Sequence, residues 1–142
     1  MGGPSRPEAV LDLVLEPHSD RFDPDDDRWR RQVGDLYRGL DDELGGVRRE
    51  GKPVEGTKGV VDTVILALGS AGAFTAAVEM LRAWLSRDRG RSLDVSWEVG
   101  GRKERVTVTG AAVDNEAIDT IASAVAARIG EKPWPNPPTA PS

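Results

Sequence analysis

Two alternating segments on either side of Gly100-Gly101 constrain the fold more than any other feature of the sequence. Apolar and polar residues alternate over 93–99 and again over 105–109, which is the period of a half-buried strand. A two-residue glycine connection favours the primed turns, whose twist matches that of the flanking strands. The sequence therefore predicts a β-hairpin. Its register pairs apolar with apolar and acid with base: Val95 with Val106, Leu93 with Val108, and Glu98 with Lys103.

Three further segments have the periodicity of regular structure. Residues 9–16 alternate and predict a strand, which Pro17 is expected to end. Apolar residues over 29–44 recur at helical spacing, and the aspartates of 25–27 precede them as candidate N-caps. A last helix is predicted over 114–129.

The most apolar stretch, Val60–Leu85, is predicted to form two helices. Its second half has the spacing of an amphipathic helix. Its first half, Val60–Leu68, fits a short buried helix or a buried strand, because periodicity cannot separate the two in so short an apolar run. The helix is favoured, since Asp62 and Thr63 would interrupt a buried strand.

These elements predict one α+β domain. A small antiparallel sheet, made of the N-terminal strand plus the C-terminal hairpin, is expected to pack against three to four helices. The domain is expected to span 8–130, with 1–7 as a flexible leader and 131–142, which contains five prolines, as a disordered tail. Residues 45–59 are rich in glycine and charge and are interpreted as a connector.

The composition excludes several classes of function. The chain has no cysteine and one histidine, His18, which excludes thiol catalysis, thiolate zinc sites and multi-histidine metal sites. Its net charge of −5 argues against a general nucleic-acid binder, which needs a basic face. Residues 1–7 lack the apolar segment of a secretory signal, so a cytoplasmic location is expected. The sequence predicts no catalytic residue, no metal and no cofactor.

Two apparent ligand-binding motifs lack essential members. Residues 46–53 match the P-loop pattern at seven of eight positions, but Pro53 replaces the hydroxyl residue that holds magnesium, and a helix is expected where a strand is needed. Asp23, Asp25 and Asp27 have the spacing that opens a calcium loop, yet the glycine and glutamate that complete it are missing. Helix capping by these aspartates is the favoured interpretation.

His18 has two competing interpretations. With Asp20 two residues further on, it has the residue types of an oriented general base for Ser70 or Ser92. No nucleophile elbow accompanies the pair. An exposed loop histidine is therefore the favoured interpretation.

Basic residues concentrate in the second half of the chain. Seven of them lie between 82 and 105, interleaved with four acids, which leaves a local charge of +3. A solvated surface of salt bridges is the usual outcome of such mixed charge, and a docking face for an acidic partner is the alternative. The candidate docking residues are Arg82, Arg87, Arg89 and Arg91.

The pattern of the middle and second half resembles a known family. Its parts are Gly56-x-Lys58-Gly59, the helical segment Leu81 to Arg87, a basic linker through Arg91-Ser92, and the hairpin ending in Val108-Thr109-Gly110. This arrangement, over roughly 8–130, is similar to the effector-associated constant component family of actinobacterial conflict systems. The resemblance implies a non-enzymatic component of a defence or programmed-death system, encoded beside an effector or sensor such as a caspase-like or trypsin-like peptidase. It implies no catalytic residues.

Three functions from different classes are therefore weighed. The first is an adaptor that docks to or gates a separately encoded effector, through the arginine cluster or by strand addition at the edge of the hairpin. The second is a membrane-associating module that inserts an apolar hairpin over Val60–Leu85. The third is an enzyme that uses Asp23, Asp25 and Asp27 as metal ligands. The adaptor is favoured, and its oligomeric state is left open.

Overall fold

The computed structural model describes residues 11–53, 56, 60–110 and 115–129. These residues contain five strands and three helices, joined by loops. The expected leader 1–7 and tail 131–142 lie outside these residues. In chain order the elements are β1 (Leu11–Ser19), α1 (Asp27–Leu44), β2 (Arg48–Pro53), β3 (Val60–Leu68), α2 (Ala71–Ser86), β4 (Arg91–Val99), β5 (Arg102–Thr109) and α3 (Asn115–Ile129).

The five strands form one antiparallel sheet with the order β2-β3-β1-β4-β5. β1 therefore lies in the middle of the sheet, paired with β3 on one side and with β4 on the other. The α+β class predicted from the sequence is confirmed. The sheet is larger than expected, because β2 and β3 join the predicted strand and hairpin.

The predicted hairpin is confirmed with its register. The structure pairs Val95 with Val106, Leu93 with Val108 and Glu98 with Lys103. Gly100 and Gly101 both have positive φ, at 57° and 81°, which a type I′ turn requires at its two central positions. The glycine pair therefore fixes the pairing of β4 with β5.

The helices lie on one face of the sheet and enclose the core with it. Alternation along β1 points Leu11, Leu13 and Leu15 into this core. α1 packs closely on α2 at Gly39, where a Cβ would lie 2.8 Å from Met80 Sδ. Core residues from the other elements include Leu36, Leu40, Leu66, Phe74, Leu85, Leu93, Val95, Ile121 and Val125.

Helix α1 begins at the aspartates that the sequence singles out. Asp26 is the N-cap, and its Oδ1 accepts a hydrogen bond from Arg28 N at 2.8 Å. Gly45 follows the last turn with a φ of 76°, and its N donates to Asp41 O at 2.8 Å. The predicted apolar stripe faces the core with Trp29, Val33, Leu36 and Leu40.

The prediction of a helix over Val60–Leu68 is wrong, because this segment is strand β3, between β1 and β2. The two polar residues that argued against a buried strand both have partners on β2. Thr63 Oγ1 donates to Glu50 O at 2.9 Å, and Asp62 Oδ2 accepts from Arg49 Nη2 at 2.9 Å. A polar group that is hydrogen-bonded costs little in a buried strand.

The apolar hairpin expected over Val60–Leu85 is therefore one strand followed by one helix. Leu66 and Leu68 of β3 and Phe74 and Leu81 of α2 belong to the same core. Within the described residues, no helix combines the length and apolar character needed to cross a membrane. The pair of helices on which the membrane-insertion alternative rested is not formed.

Two element boundaries also differ from expectation. The segment 48–53, inside the expected connector, is strand β2 at one edge of the sheet. β1 continues through Pro17, which is paired with Leu93, to Ser19. The pairing of β1 with β3 ends at Leu15, so Pro17 has a neighbouring strand on one side only. A residue without an amide donor is tolerated at such a position.

A buried guanidinium joins the helical layer to the sheet. Arg91, the first residue of β4, is 8% exposed. Its Nη1 donates to Trp84 O, its Nη2 donates to Gln32 Oε1 at 2.7 Å, and its Cζ lies 4.3 Å from the Trp84 ring centroid. Trp84 Nε1 donates in turn to Gln32 O at 3.0 Å. Burial lowers the pKa of Arg91, and the charge of Asp88 opposes this shift.

We expect Arg91→Ala to lower the free energy of unfolding by about 3 kcal/mol, because Trp84 O and Gln32 Oε1 lose a charged donor and the indole loses its cation. Arg89→Ala, at an exposed position two residues earlier, should change it by less than ~0.5 kcal/mol. Urea unfolding of both variants measures the difference. Equal stabilities for the two variants would contradict the role assigned to Arg91.

Candidate interaction site

Two loops meet at one end of the molecule. They are the β1–α1 loop, residues 20–26, and the α2–β4 loop, residues 87–90, and together they are called the loop end. Asp20 N donates to Gly90 O at 3.0 Å, and Arg21 Nε lies 3.8 Å from Asp88 Oδ1. A Cβ at Gly90 would collide with the Asp20 carboxylate. The two loops are thus held in contact by a backbone hydrogen bond, and a side chain at position 90 would displace the Asp20 carboxylate.

The α2–β4 loop is fixed by its own hydrogen bonds. Asp88 N donates to Leu85 O at 3.3 Å, and Asp88 O accepts from Arg91 N at 3.1 Å. The Asp88 carboxylate accepts from Gly90 N at 2.9 Å. Residues between these anchors, Arg87 and Arg89, are exposed and project from a loop whose backbone is held at both ends.

The structure separates the four arginines of the predicted docking cluster. Arg87 and Arg89 are exposed at the loop end. Arg82 is half-buried and lines a small core cavity with Phe74 and Ile118. Arg91 is buried and holds α1, α2 and β4 together. A partner can therefore reach Arg87 and Arg89 at the surface, while Arg91 is occupied by internal contacts.

The charges at the loop end have both signs. Exposed Asp20, Asp23 and Asp25 lie on the β1–α1 loop, next to exposed Arg21. Asp23 O accepts from Asp26 N at 3.0 Å, so this loop closes into the turn that starts α1. The aspartates that open an apparent calcium loop in the sequence thus lie beside the N-terminus of α1, where the N-cap is Asp26 and not one of these three.

Arg28 ties the start of α1 to its cap. Its Nη2 lies 3.0 Å from Asp26 Oδ2, and its Cζ lies 5.0 Å from the Phe22 ring centroid. Phe22 stacks on Trp29 with ring centroids 6.5 Å apart. The side-chain hydrogen bond from Arg28 holds the pKa of Asp26 below its ordinary value, and Asp26 raises the pKa of Arg28. Both shifts come mainly from the ion pair between Asp26 and Arg28, and the capping hydrogen bond from Arg28 N adds to the shift of Asp26.

The interpretation of His18 as an exposed loop residue is wrong, because His18 lies on strand β1 and is partly buried. His18 Nε2 lies 3.1 Å from Glu16 Oε2 and 3.3 Å from Asp94 Oδ2. Ser92 is opposite His18 in the register of β1 and β4. The spacing of Glu16 and His18, two residues apart, is the signal that would have placed them on one strand face. It was missed because Pro17 was expected to end the strand.

Both edge strands of the described sheet carry charge. β5 contains Arg102, Lys103, Glu104 and Arg105 in succession, and β2 contains Arg48, Arg49, Glu50 and Lys52 before it ends at Pro53. Charged side chains and a terminal proline are common on strands whose open edge faces solvent. Strand addition at the edge of β5, which the sequence raised, would have to take place along this charged strand.

A comparison with protein families decides the family. A family model described as Effector Associated Constant Component 1 matches residues 24–126. The chain belongs to this family. No curated protein and no solved structure matches it. The resemblance seen in the sequence is confirmed, over a shorter segment than expected: the match begins just before α1, so β1 and its His18 lie outside it.

Membership in the Effector Associated Constant Component 1 family makes the chain an effector-associated component. The matched segment contains both helices of the α1–α2 pair, the complete hairpin and most of α3. It also contains the α2–β4 loop with Arg87 and Arg89. The exposed arginines of the loop end therefore lie within the part of the chain that matches the family model.

We expect Asp26→Ala to lower the melting temperature at neutral pH and to have less effect in acid. The folded-state pKa of Asp26 is depressed, so its stabilisation is present above the ordinary value of 3.8 and is lost as the pH falls through the folded-state pKa. Asp25→Ala removes an adjacent exposed carboxylate that is not the N-cap and serves as the control. Thermal melts between about pH 7 and about pH 2 test this. A pH-independent difference between Asp26→Ala and the unaltered chain would contradict it.

Proposed function

We propose that the chain is a non-enzymatic adaptor of a bacterial conflict system, which docks to or gates a separately encoded effector such as a caspase-like or trypsin-like peptidase. The match of residues 24–126 to the Effector Associated Constant Component 1 family carries the proposal. Such a component acts in the cytoplasm through protein–protein contact, with neither a cofactor nor nucleic acid.

The exposed arginines of the loop end are the surface that we assign to the partner. Arg87 and Arg89 project from a loop held by hydrogen bonds at Asp88, so binding would order little additional backbone. Guanidinium groups bind carboxylates in bidentate geometry. An acidic segment of the effector is the chemistry that this surface fits.

The aspartates beside these arginines restrict the orientation in which the partner docks. Asp20, Asp23 and Asp25 lie on the adjoining loop and would repel an acidic segment that approached from their side. Complementary charge on one side and like charge on the other select one docking orientation, because like-charge contacts cost binding free energy. The mixed charge of the loop end thus favours a specific partner over general attraction to acidic surfaces.

The test is charge reversal at the two exposed arginines. We expect the double variant Arg87→Glu/Arg89→Glu to weaken binding of the effector at least tenfold, about 1.4 kcal/mol, because both contacts become repulsive. The partner is recovered by pull-down from lysate of the native host and identified by mass spectrometry. Its affinity for purified variants is then measured by surface plasmon resonance.

The matched control is Arg102→Glu/Lys103→Glu, which reverses two exposed charges beyond the other end of β4. The nine residues of β4 place this pair roughly 30 Å from the loop end. Unchanged affinity in the control supports the assigned surface. Loss of binding in the control but not in Arg87→Glu/Arg89→Glu would instead place the docking surface at the edge of β5. If the pull-down recovers no effector or sensor encoded by a neighbouring gene, the adaptor proposal is overturned.

The non-enzymatic part of the proposal has its own readout. Peptidase activity is measured for the effector alone, for the chain alone and for the two together. We expect the chain to change the rate of the effector and to have no activity alone. Turnover by the chain in the absence of the effector would contradict the proposal.

A further inference from the structure

Three side chains with metal-ligating atoms converge on the face of the sheet opposite the helices. β1 places Glu16 and His18 on this face, two residues apart. The register of β1 and β4 sets Asp94 directly opposite Glu16 and Ser92 opposite His18. Asp94 therefore lies diagonally across from His18. The three come from two adjacent strands in the middle of the sheet, so their backbones are held by the ladder.

The distances between their donor atoms fit a metal ion. His18 Nε2 lies 3.1 Å from Glu16 Oε2 and 3.3 Å from Asp94 Oδ2, and one ligand atom from each residue lies within 4.8 Å of the others. Two ligand atoms bound at 2.0–2.1 Å in a tetrahedral zinc site are about 3.3 Å apart. The two distances from His18 Nε2 are therefore already close to those between atoms that coordinate one ion.

A proton satisfies this arrangement less well than a divalent cation. The imidazole Nε2 carries at most one hydrogen, yet it faces oxygen atoms of two carboxylates. A divalent cation at the same place would bind Nε2 and both carboxylates at once and would balance their two negative charges. The donor set of one imidazole and two carboxylates suits Zn²⁺, whereas Mg²⁺ and Ca²⁺ prefer oxygen ligands alone.

A neighbouring hydroxyl orients one of the ligands. Thr107, opposite Asp94 on β5, donates its Oγ1 hydrogen to Asp94 Oδ1 at 2.6 Å. This leaves Asp94 Oδ2 directed at His18. Such outer contacts fix the direction of a ligating carboxylate. The side chains of His18, Glu16 and Asp94 are 39%, 22% and 21% exposed, so the site is open to an ion and to water in the remaining position.

We infer that Glu16, His18 and Asp94 form a binding site for one Zn²⁺ ion, with Thr107 as the residue that positions Asp94. The bound ion would connect β1 to β4 through side chains, in addition to their backbone pairing. Glu16 and His18 lie outside the segment 24–126 that matches the family, whereas Asp94 lies inside it. The site is therefore a property of this chain and does not depend on the proposed adaptor function.

The experiment uses the full chain without a histidine tag, so that His18 supplies the only imidazole. Zn²⁺ is titrated calorimetrically, and Co²⁺ is titrated as a spectroscopic substitute. We expect one ion per chain, visible Co²⁺ absorption and a shift of the His18 ring signals in NMR spectra. We also expect the melting temperature to rise by roughly 5–10 °C when free Zn²⁺ is about 100 times its Kd.

The variants test His18 as a ligand and Thr107 as the residue that positions Asp94. His18→Asn should abolish saturable Zn²⁺ binding, and Thr107→Val should weaken it by about tenfold to 100-fold. Asp12→Asn is the matched control, because Asp12 is an exposed carboxylate on the same face of β1 that pairs with Arg48 instead. It should bind Zn²⁺ as the unaltered chain does. Mg²⁺ at millimolar concentration should not displace the ion.

Two outcomes would overturn the inference. One is the absence of Zn²⁺ binding by the unaltered chain, and the other is equal binding by His18→Asn, which would place the ion elsewhere. Unchanged affinity in Thr107→Val would overturn the positioning role of Thr107. Circular dichroism of each variant confirms that the fold is retained, and His18 and Asp12 both lie at solvent-accessible positions where substitution leaves the core intact.

Discussion

The sheet depends on its central strand, β1. β1 lies between β3 and β4, and its inward residues Leu11, Leu13 and Leu15 form the middle of the core. Both pairings join segments far apart in the sequence, since Leu13 pairs with Leu66 and Leu15 with Val95. The loop-closure entropy of these contacts must be offset by burial of the strand on its helical face and by its two hydrogen-bonded ladders.

The helical layer is attached to this sheet by packing and by charged contacts, of which the one made by Arg91 is buried. Arg91 lies at the start of β4, and its guanidinium bonds to the end of α2 and to Gln32 of α1. It also leads directly out of the α2–β4 loop, where Asp88 O accepts from its backbone N. The contact that fixes the two layers therefore also fixes the loop that presents Arg87 and Arg89. Arg91 therefore contributes both to the stability of the fold and to the conformation of the proposed docking surface.

Local pattern predicted most of the elements. The register of the hairpin could be predicted to the residue, because a two-glycine turn and strict alternation leave one register that pairs apolar with apolar. Its strands begin two and three residues earlier than the alternation indicates. The apolar stripe of α1 was predicted from its spacing, and the N-cap, Asp26, is one of the three candidate aspartates. The fold class followed from these elements, and the family resemblance from the spacing of the second half.

The two missed strands have a common physical cause, which is that β2 and β3 depend on each other. β3 is apolar on both faces, so it lacks alternation, and its Asp62 and Thr63 look unfavourable until Arg49 and Glu50 are placed beside them. β2, in turn, is charged and glycine-containing and has no strand signal of its own. Neither could be recognised without the other.

The prediction of the candidate sites was limited for a similar reason, because burial and strand pairing depend on contacts between residues far apart in the sequence. Charge patterning found the arginines around 82–91 but could not tell that Arg91 is buried while Arg87 and Arg89 are exposed. The cluster of Glu16, His18 and Asp94 requires the pairing of two strands that are about 75 residues apart in the sequence. No local sequence motif indicates such a pairing.

The strand order also has a consequence for synthesis on the ribosome. β1 is translated first, but roughly 80 residues must follow before β4, its second neighbour, is complete. At bacterial elongation rates of about 5–20 residues per second, this interval lasts roughly 4–16 s. During that time the nascent chain can complete the β2-β3-β1 half of the sheet, and the edge of β1 that later receives β4 stays open. Until β4 has left the ribosome, a strand of another chain can pair with this open edge. The yield of folded protein in a foreign host is therefore expected to depend on how quickly β4 emerges and pairs with β1.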